Sequence, residues 1–260
     1  MAPELALQDR LAIWGGLGAL SVLAWIYLVR MPPAMSGGMG STAAMPGMPG
    51  MNMVAATARF APAELWLTFL MWAVMMTAMM LPSASPMVTT YAAAARGRSR
   101  FAMAWTWLFA AGYVAVWIVF SALATGIQAG MEHAAILTGA MRVAPLAGGI
   151  ILALAGAYQL SPLKRKCLRY CQSPLGFLIT HWRDGSVGAF AMGLQHGTFC
   201  VGCCWMLMAL LFVAGVMNLL WVAALAAFVL VERATRWGEA IATASGFAFI
   251  AWGLTLAALS

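Results

Sequence analysis

The stretch Ser186-Val187-Gly188-Ala189-Phe190-Ala191-Met192-Gly193-Leu194-Gln195-His196-Gly197-Thr198-Phe199-Cys200-Val201-Gly202-Cys203-Cys204-Trp205-Met206-Leu207-Met208-Ala209-Leu210-Leu211-Phe212-Val213-Ala214-Gly215 contains no Asp, Glu, Lys or Arg. A run of about 20 apolar residues crosses a bilayer as a helix. This run lacks the alternation of a barrel strand, so it reads as a helix. It is long for one crossing, which predicts a tilted or broken span, or one that projects beyond the bilayer. At about 100° per residue, His196, Cys200, Cys203 and Cys204 fall on one face. Imidazole and thiol are soft, metal-binding groups. Polar groups inside a span are costly and are usually functional. The stretch therefore predicts a membrane helix with a soft-metal face.

The rest of the chain agrees with that class. Its 260 residues are 64% hydrophobic and 8% charged, with a mean hydropathy of +0.89. Soluble domains carry about 25% charged residues. Seven stretches have the length and apolarity of spans: 11–29, 65–81, 102–126, 143–161, 186–215, 218–235 and 241–259. The expected fold is all-α, a polytopic helical membrane protein of about seven transmembrane helices. Its parts would be an N-terminal anchor (1–30), a flexible periplasmic loop (31–60) and a helical membrane domain (61–260). Residues 1–30 are expected to stay as a span rather than be cleaved, because the apolar run is long and Glu4 and Asp9 precede it.

Orientation follows from the basic residues. With the N-terminus in the cytoplasm, the inner segments hold Arg10, Arg96, Arg98, Arg100, Lys164, Arg165, Lys166, Arg169, Arg183, Arg233 and Arg236. The outer segments hold Arg30, Arg59 and Arg142. This asymmetry predicts the N-terminus inside, the C-terminus outside and a multi-pass protein of a bacterial inner membrane. The net charge of +7 then reflects anchoring to anionic lipid, not nucleic-acid binding.

Residues 31–53 hold seven methionines: Met31, Met35, Met39, Met45, Met48, Met51 and Met53. Gly and Pro among them oppose helix and sheet, so the loop is expected to be flexible. Methionine gains nothing from packing there, but its thioether binds Cu(I) without losing a proton. Met35 through Met53 are therefore expected to collect metal. The second span adds Met71, Met75 and Met79 at i, i+4, i+8, and Met76 with Met80 at i, i+4. At 1.5 Å per residue from the span ends, Met75 and His196 lie at one depth and Cys200 lies near Met71. The Met ladder and the His/Cys face are thus expected to converge. Gly193 and Gly197 let a neighbouring helix approach, and the Met span is the expected neighbour. One helix does not easily close a four-ligand site. A string of two- or three-ligand stations for Cu(I) fits better than zinc, whose closed sites draw ligand pairs from around a turn.

Cys167 and Cys171 sit in a basic inner segment, where thiols persist and Lys and Arg favour thiolate. They are a candidate exit site, or simply interfacial residues. Glu132 and His133 form an outer O/N pair whose ordinary reading is solvated surface.

Three blocks occur in order: Trp72 through Met75-Met76 and Ala78-Met79-Met80-Leu81-Pro82; Tyr158-Gln159-Leu160-Ser161-Pro162-Leu163-Lys164 with Cys167, Cys171 and Pro174; and Gly193, His196-Gly197, Cys200 and Gly202-Cys203-Cys204-Trp205-Met206. Together they resemble a bacterial family of predicted metal-binding integral membrane proteins without an established function. The resemblance implies metal binding but not which metal. The Met pairs are also similar to those of eukaryotic copper transporters, a chemical likeness that extends only to Met71, Met75, Met76, Met79 and Met80.

No hydrolase elbow, phosphate loop, haem CxxCH or zincin HExxH occurs, so the chain reads as a binder rather than an enzyme. The leading expectation is a Cu(I)-binding membrane protein that transports copper or delivers it to a cuproenzyme under assembly. Its partners would be the bilayer and a periplasmic copper chaperone or a membrane cuproenzyme. The alternatives are a membrane thiol oxidoreductase using Cys203–Cys204 and Cys167/Cys171, and a metal-stabilised accessory subunit of a larger complex.

Overall fold

In a computed structural model, residues 7–30, 62–134, 137 and 143–259 are described. The Met-rich loop lies outside them. They form ten helices: α1 Leu7–Arg30, α2 Pro62–Arg96, α3 Ala102–His133, α4 Pro145–Gln159, α5 Pro162–Gln172, α6 Pro174–His181, α7 Gly185–Ala209, α8 Leu211–Ala214, α9 Leu219–Ala234 and α10 Gly238–Ala258. Helix starts follow local chemistry. Proline opens α4, α5 and α6, where its missing N–H costs nothing. Ser161 caps α5 by accepting from the Lys164 N–H, and Asn218 caps α9 by accepting from Trp221 N–H. Gly215, at φ 96°, ends α8 in a conformation that side chains disfavour.

Five helices are long and apolar enough to cross a membrane, or six if the bent pair α4–α5 counts as one span. The expected stretches 143–161 and 218–235 become helices of only 15 and 16 residues, α4 and α9. Conversely, the span expected at 65–81 does not stop at Pro82. It runs 35 residues, through Pro82 and Pro86, to Arg96. Each proline frees the carbonyl four residues earlier. Ser21 of α1 donates to the Ala78 carbonyl at 3.1 Å, and Ser85 donates to the Pro82 carbonyl at 2.8 Å. Hydroxyls thus replace the lost helix bonds, as apolar surroundings require.

The contacts give the direction of each helix. Asp9 pairs with Arg96 and Ser21 with Ala78, so α1 and α2 are antiparallel. The Trp72 indole donates to Gln128 at 2.7 Å and Tyr113 donates to the Met80 carbonyl at 3.2 Å, so α2 and α3 are antiparallel. By contrast, Gly193 lies on Phe109 and Gly197 on Val116, which makes α3 and α7 parallel. The chain between them must therefore return from one end of the bundle to the other. α4, α5 and α6 make that return: Val143 N–H bonds the Phe212 carbonyl near the end of α8, and Trp182 stacks on Tyr91 near the end of α2. α10 lies antiparallel on α4, with Gly253 on Gly149 and Gly246 on Gly156. The main core joins Met71, Met75, Met76, Met79 and Met80 to Cys200, Cys203 and Cys204.

Candidate metal centre

α7 presents Cys200, Cys203 and Cys204 inward, all buried. Four other helices close around them. From the end of α9, Arg233 donates through Nη2 to the Cys200 carbonyl at 3.0 Å, to Cys203 Sγ at 3.0 Å and to Cys204 Sγ at 3.3 Å. Its Nη1 donates to Ser83 Oγ of α2 at 2.9 Å. From α5, Cys171 Sγ lies 3.9 Å from Cys203 Sγ. Cys167 Sγ lies against Gly202, where a Cβ would approach it to 2.9 Å. From α3, Tyr113 Oη lies 2.9 Å from Cys200 Sγ. A guanidinium only donates hydrogen bonds, so the sulfurs accept from it, and acceptance is strongest by thiolates. All five cysteines are free thiols.

Cys167 and Cys171 therefore do not form a separate station in an inner loop. α5 is amphipathic, and its apolar face carries both cysteines onto α7. Two residues assigned to the lipid-facing basic set are also not at the surface. Lys164 is buried against Glu232 at 2.7 Å, and Arg233 is buried on the sulfurs. Each charge is tolerated because it has a partner. Replacing Lys164 with Met would leave Glu232 buried alone, a loss of about 3–5 kcal/mol. Thermal unfolding in detergent should show the loss, and a Lys164→Met/Glu232→Leu double variant should recover most of it.

His196 is one turn from Cys200 and 3% exposed. Its ring sits among Phe109, Tyr113 and Phe177, with centroids 6.0, 5.7 and 5.4 Å away. Its Nδ1 has no hydrogen-bond partner. Among the described residues, no three His, Cys, Asp or Glu side chains stand close enough to hold one ion. Glu132 accepts from Gln128 at 2.9 Å, and Gln128 in turn accepts from Trp72, so the acid helps tie α3 to α2.

The depth match of Met71 with Cys200 does not hold. Tyr113 and Arg233 place Cys200 beside Met80 and Ser83 instead. Counting from expected span ends failed because α2 continues 15 residues past residue 81. The helix received at Gly193 and Gly197 is α3, not the Met span. Sequence reasoning did not place Tyr113, Ser83 or Glu232 at the site, and it read Arg233 and Lys164 only as cytoplasmic basic residues. One signal was present: Glu232 and Arg233 fall inside the expected span 218–235, and an ionisable residue within a span is a functional-site candidate.

A family model described as PpoB2, copper chaperone, matches residues 69–256, well over half of the chain. The chain belongs to this copper chaperone family. The matched region holds all five cysteines, His196, Arg233 and the methionines of α2, and it begins after the Met-rich loop. The metal-binding expectation thereby narrows to a copper-related family. No curated protein and no solved structure matches the chain.

Proposed function

We propose that the chain is a membrane-embedded Cu(I) chaperone that accepts copper on its sulfur cluster and delivers it to a cuproenzyme under assembly. The observation that carries this reading is the approach of Cys171 to Cys203 at 3.9 Å, beside Cys204 and Cys200. With metal–sulfur bonds of about 2.3 Å, one ion can touch both sulfurs. Soft thiolates suit Cu(I), which accepts two ligands, so the lack of a three-ligand group does not count against it. His196 is a further donor one turn away. Met71, Met75, Met76, Met79 and Met80 would supply neutral thioethers leading toward the cluster, and Met35, Met39, Met45, Met48, Met51 and Met53 would collect copper before them.

The test is direct. Reduced protein purified in detergent should take Cu(I) from a colorimetric chelator in stoichiometric amount and give it up to an apo-cuproenzyme. A failure to take Cu(I) refutes the reading. Copper that is held but never released makes the protein a metal-stabilised subunit. A Cys171–Cys203 disulfide and no copper makes it a thiol oxidoreductase.

The proposed orientation puts the N-terminus in the cytoplasm and the C-terminus outside. It is supported by the gathering of basic residues at one end, where Arg96 pairs with Asp9 and Arg98 lies 4.5 Å over the Trp182 ring. α9 starts beside Leu210 and α10 returns along α4, so the pair ends on the side where it began, however deeply it enters. Single cysteines at Ser41, Ser99 and Ser260 in a Cys-free chain should meet an impermeant maleimide at 41 and 260, but not at 99, on intact cells. Labelling at 99 would invert the orientation.

A further inference from the structure

Among the described residues, Arg233 has no carboxylate partner in the sulfur cluster. The nearby acid, Glu232, is paired with Lys164 at 2.7 Å, and those two charges cancel. Arg233 Nη1 is held by the neutral Ser83 hydroxyl, and Nη2 by the Cys200 carbonyl and two sulfurs. The local protein therefore carries one positive charge that only the sulfurs and their cargo can balance. Building on the copper reading above, we propose that Arg233 selects the charge of the cargo, matching the site to a monovalent soft cation on two thiolates and disfavouring a divalent one.

Two thiols take up one Cu(I) by losing two protons to water, forming two metal–sulfur bonds and a complex of charge −1. With Arg233 the site is neutral, the cheapest state inside an apolar bundle. A divalent ion on the same two thiolates forms a neutral complex and leaves Arg233 uncompensated. Neutrality would then require a third thiolate. Among the described residues no third thiol stands close enough to join them on one ion, Cys204 included, and Cys200 Sγ is engaged with Tyr113 Oη at 2.9 Å. Softness does not make this distinction, because Cd(II) and Ag(I) both favour sulfur. Charge does.

The experiment measures the ratio of Ag(I) to Cd(II) affinity in detergent-purified, reduced protein. In Arg233→Gln the guanidinium charge is gone, the bis-thiolate complex of a divalent ion is already neutral, and the ratio should shift toward Cd(II) by about 100-fold or more. Arg233→Lys keeps the charge and should keep the wild-type ratio to within about tenfold. Ser83→Asp leaves Arg233 in place but pairs it with a carboxylate, so it should reproduce the shift of Arg233→Gln. It thereby decides the matter even if the Gln variant fails to fold. An unchanged ratio in Ser83→Asp or in a folded Arg233→Gln overturns the proposal. So does a Lys variant that shifts like Gln, which would assign Arg233 a role of shape. Wild-type protein that binds neither Ag(I) nor Cu(I) refutes the copper reading itself, a different outcome from an unchanged ratio.

Discussion

Cys203→Ser should lower Cu(I) affinity more than about 100-fold while leaving the protein folded. Loss of outer-shell partners alone costs about 10–100-fold in metal sites, and Cys203 is proposed as a direct ligand. Its sulfur meets both the thiol of Cys171, brought in from α5, and the guanidinium of Arg233. Serine is smaller and hard, so a soft ion loses a bond there. The fold should survive, because the serine oxygen still accepts from Arg233 and the change in volume is small. Cys167→Ser is the control: Cys167 packs on Gly202 and has no comparable pairing, so copper should fall less. Copper per protein, measured after competition with a chelator, reads both variants. A Cys203→Ser protein with wild-type affinity would remove the sulfur pair as the copper station.

Gly193→Ala should unfold or severely destabilise the bundle. A Cβ at 193 would stand 2.1 Å from the Phe109 carbonyl oxygen, and one at Gly112 would stand 2.3 Å from the Phe190 carbonyl oxygen. Both obstacles are backbone, so no side chain can rotate away, and α3 must separate from α7. Overpacking of side chains typically costs 1–3 kcal/mol; a clash with backbone should exceed about 4 kcal/mol. That is a large part of a stability of about 5–15 kcal/mol. Separation would also pull Tyr113 from Cys200, so copper binding should fall with stability. The contrast is Gly15→Ala in α1, where a Cβ meets nothing within 4 Å. There the same substitution should stabilise the exposed helix by about 0.5–1 kcal/mol. Thermal melting of the two purified variants tests the opposite signs. A Gly193→Ala protein that melts with the wild type would refute the close packing of α3 on α7.

Part of this protein is determined by local sequence. Apolar run length makes the chain all-helical and membrane-suited, because backbone groups in lipid must bond within their own segment. A period of about 3.6 residues puts Cys200, Cys203 and Cys204 on one face of α7 and Met71, Met75 and Met79 on one face of α2. Those statements need only one helix at a time, and the structure describes such helices. Where a helix stops was less legible. Pro82 looked like an end, but Ser21, 57 positions from Ala78, donates to the Ala78 carbonyl that the proline frees. Only tertiary structure decided which faces meet. The glycines of α7 announced a close neighbour, yet nothing local says that the neighbour is α3 rather than α2. Cys171 and Cys203 are 32 positions apart, and they approach only because α4 to α6 must carry the chain back between the parallel α3 and α7. Arg233 looked like one more cytoplasmic cation. Its place among the sulfurs depends on α9 descending beside α2 and α7, a packing decision made by helices distant in sequence, where a buried charge is stable only once its partners have assembled around it.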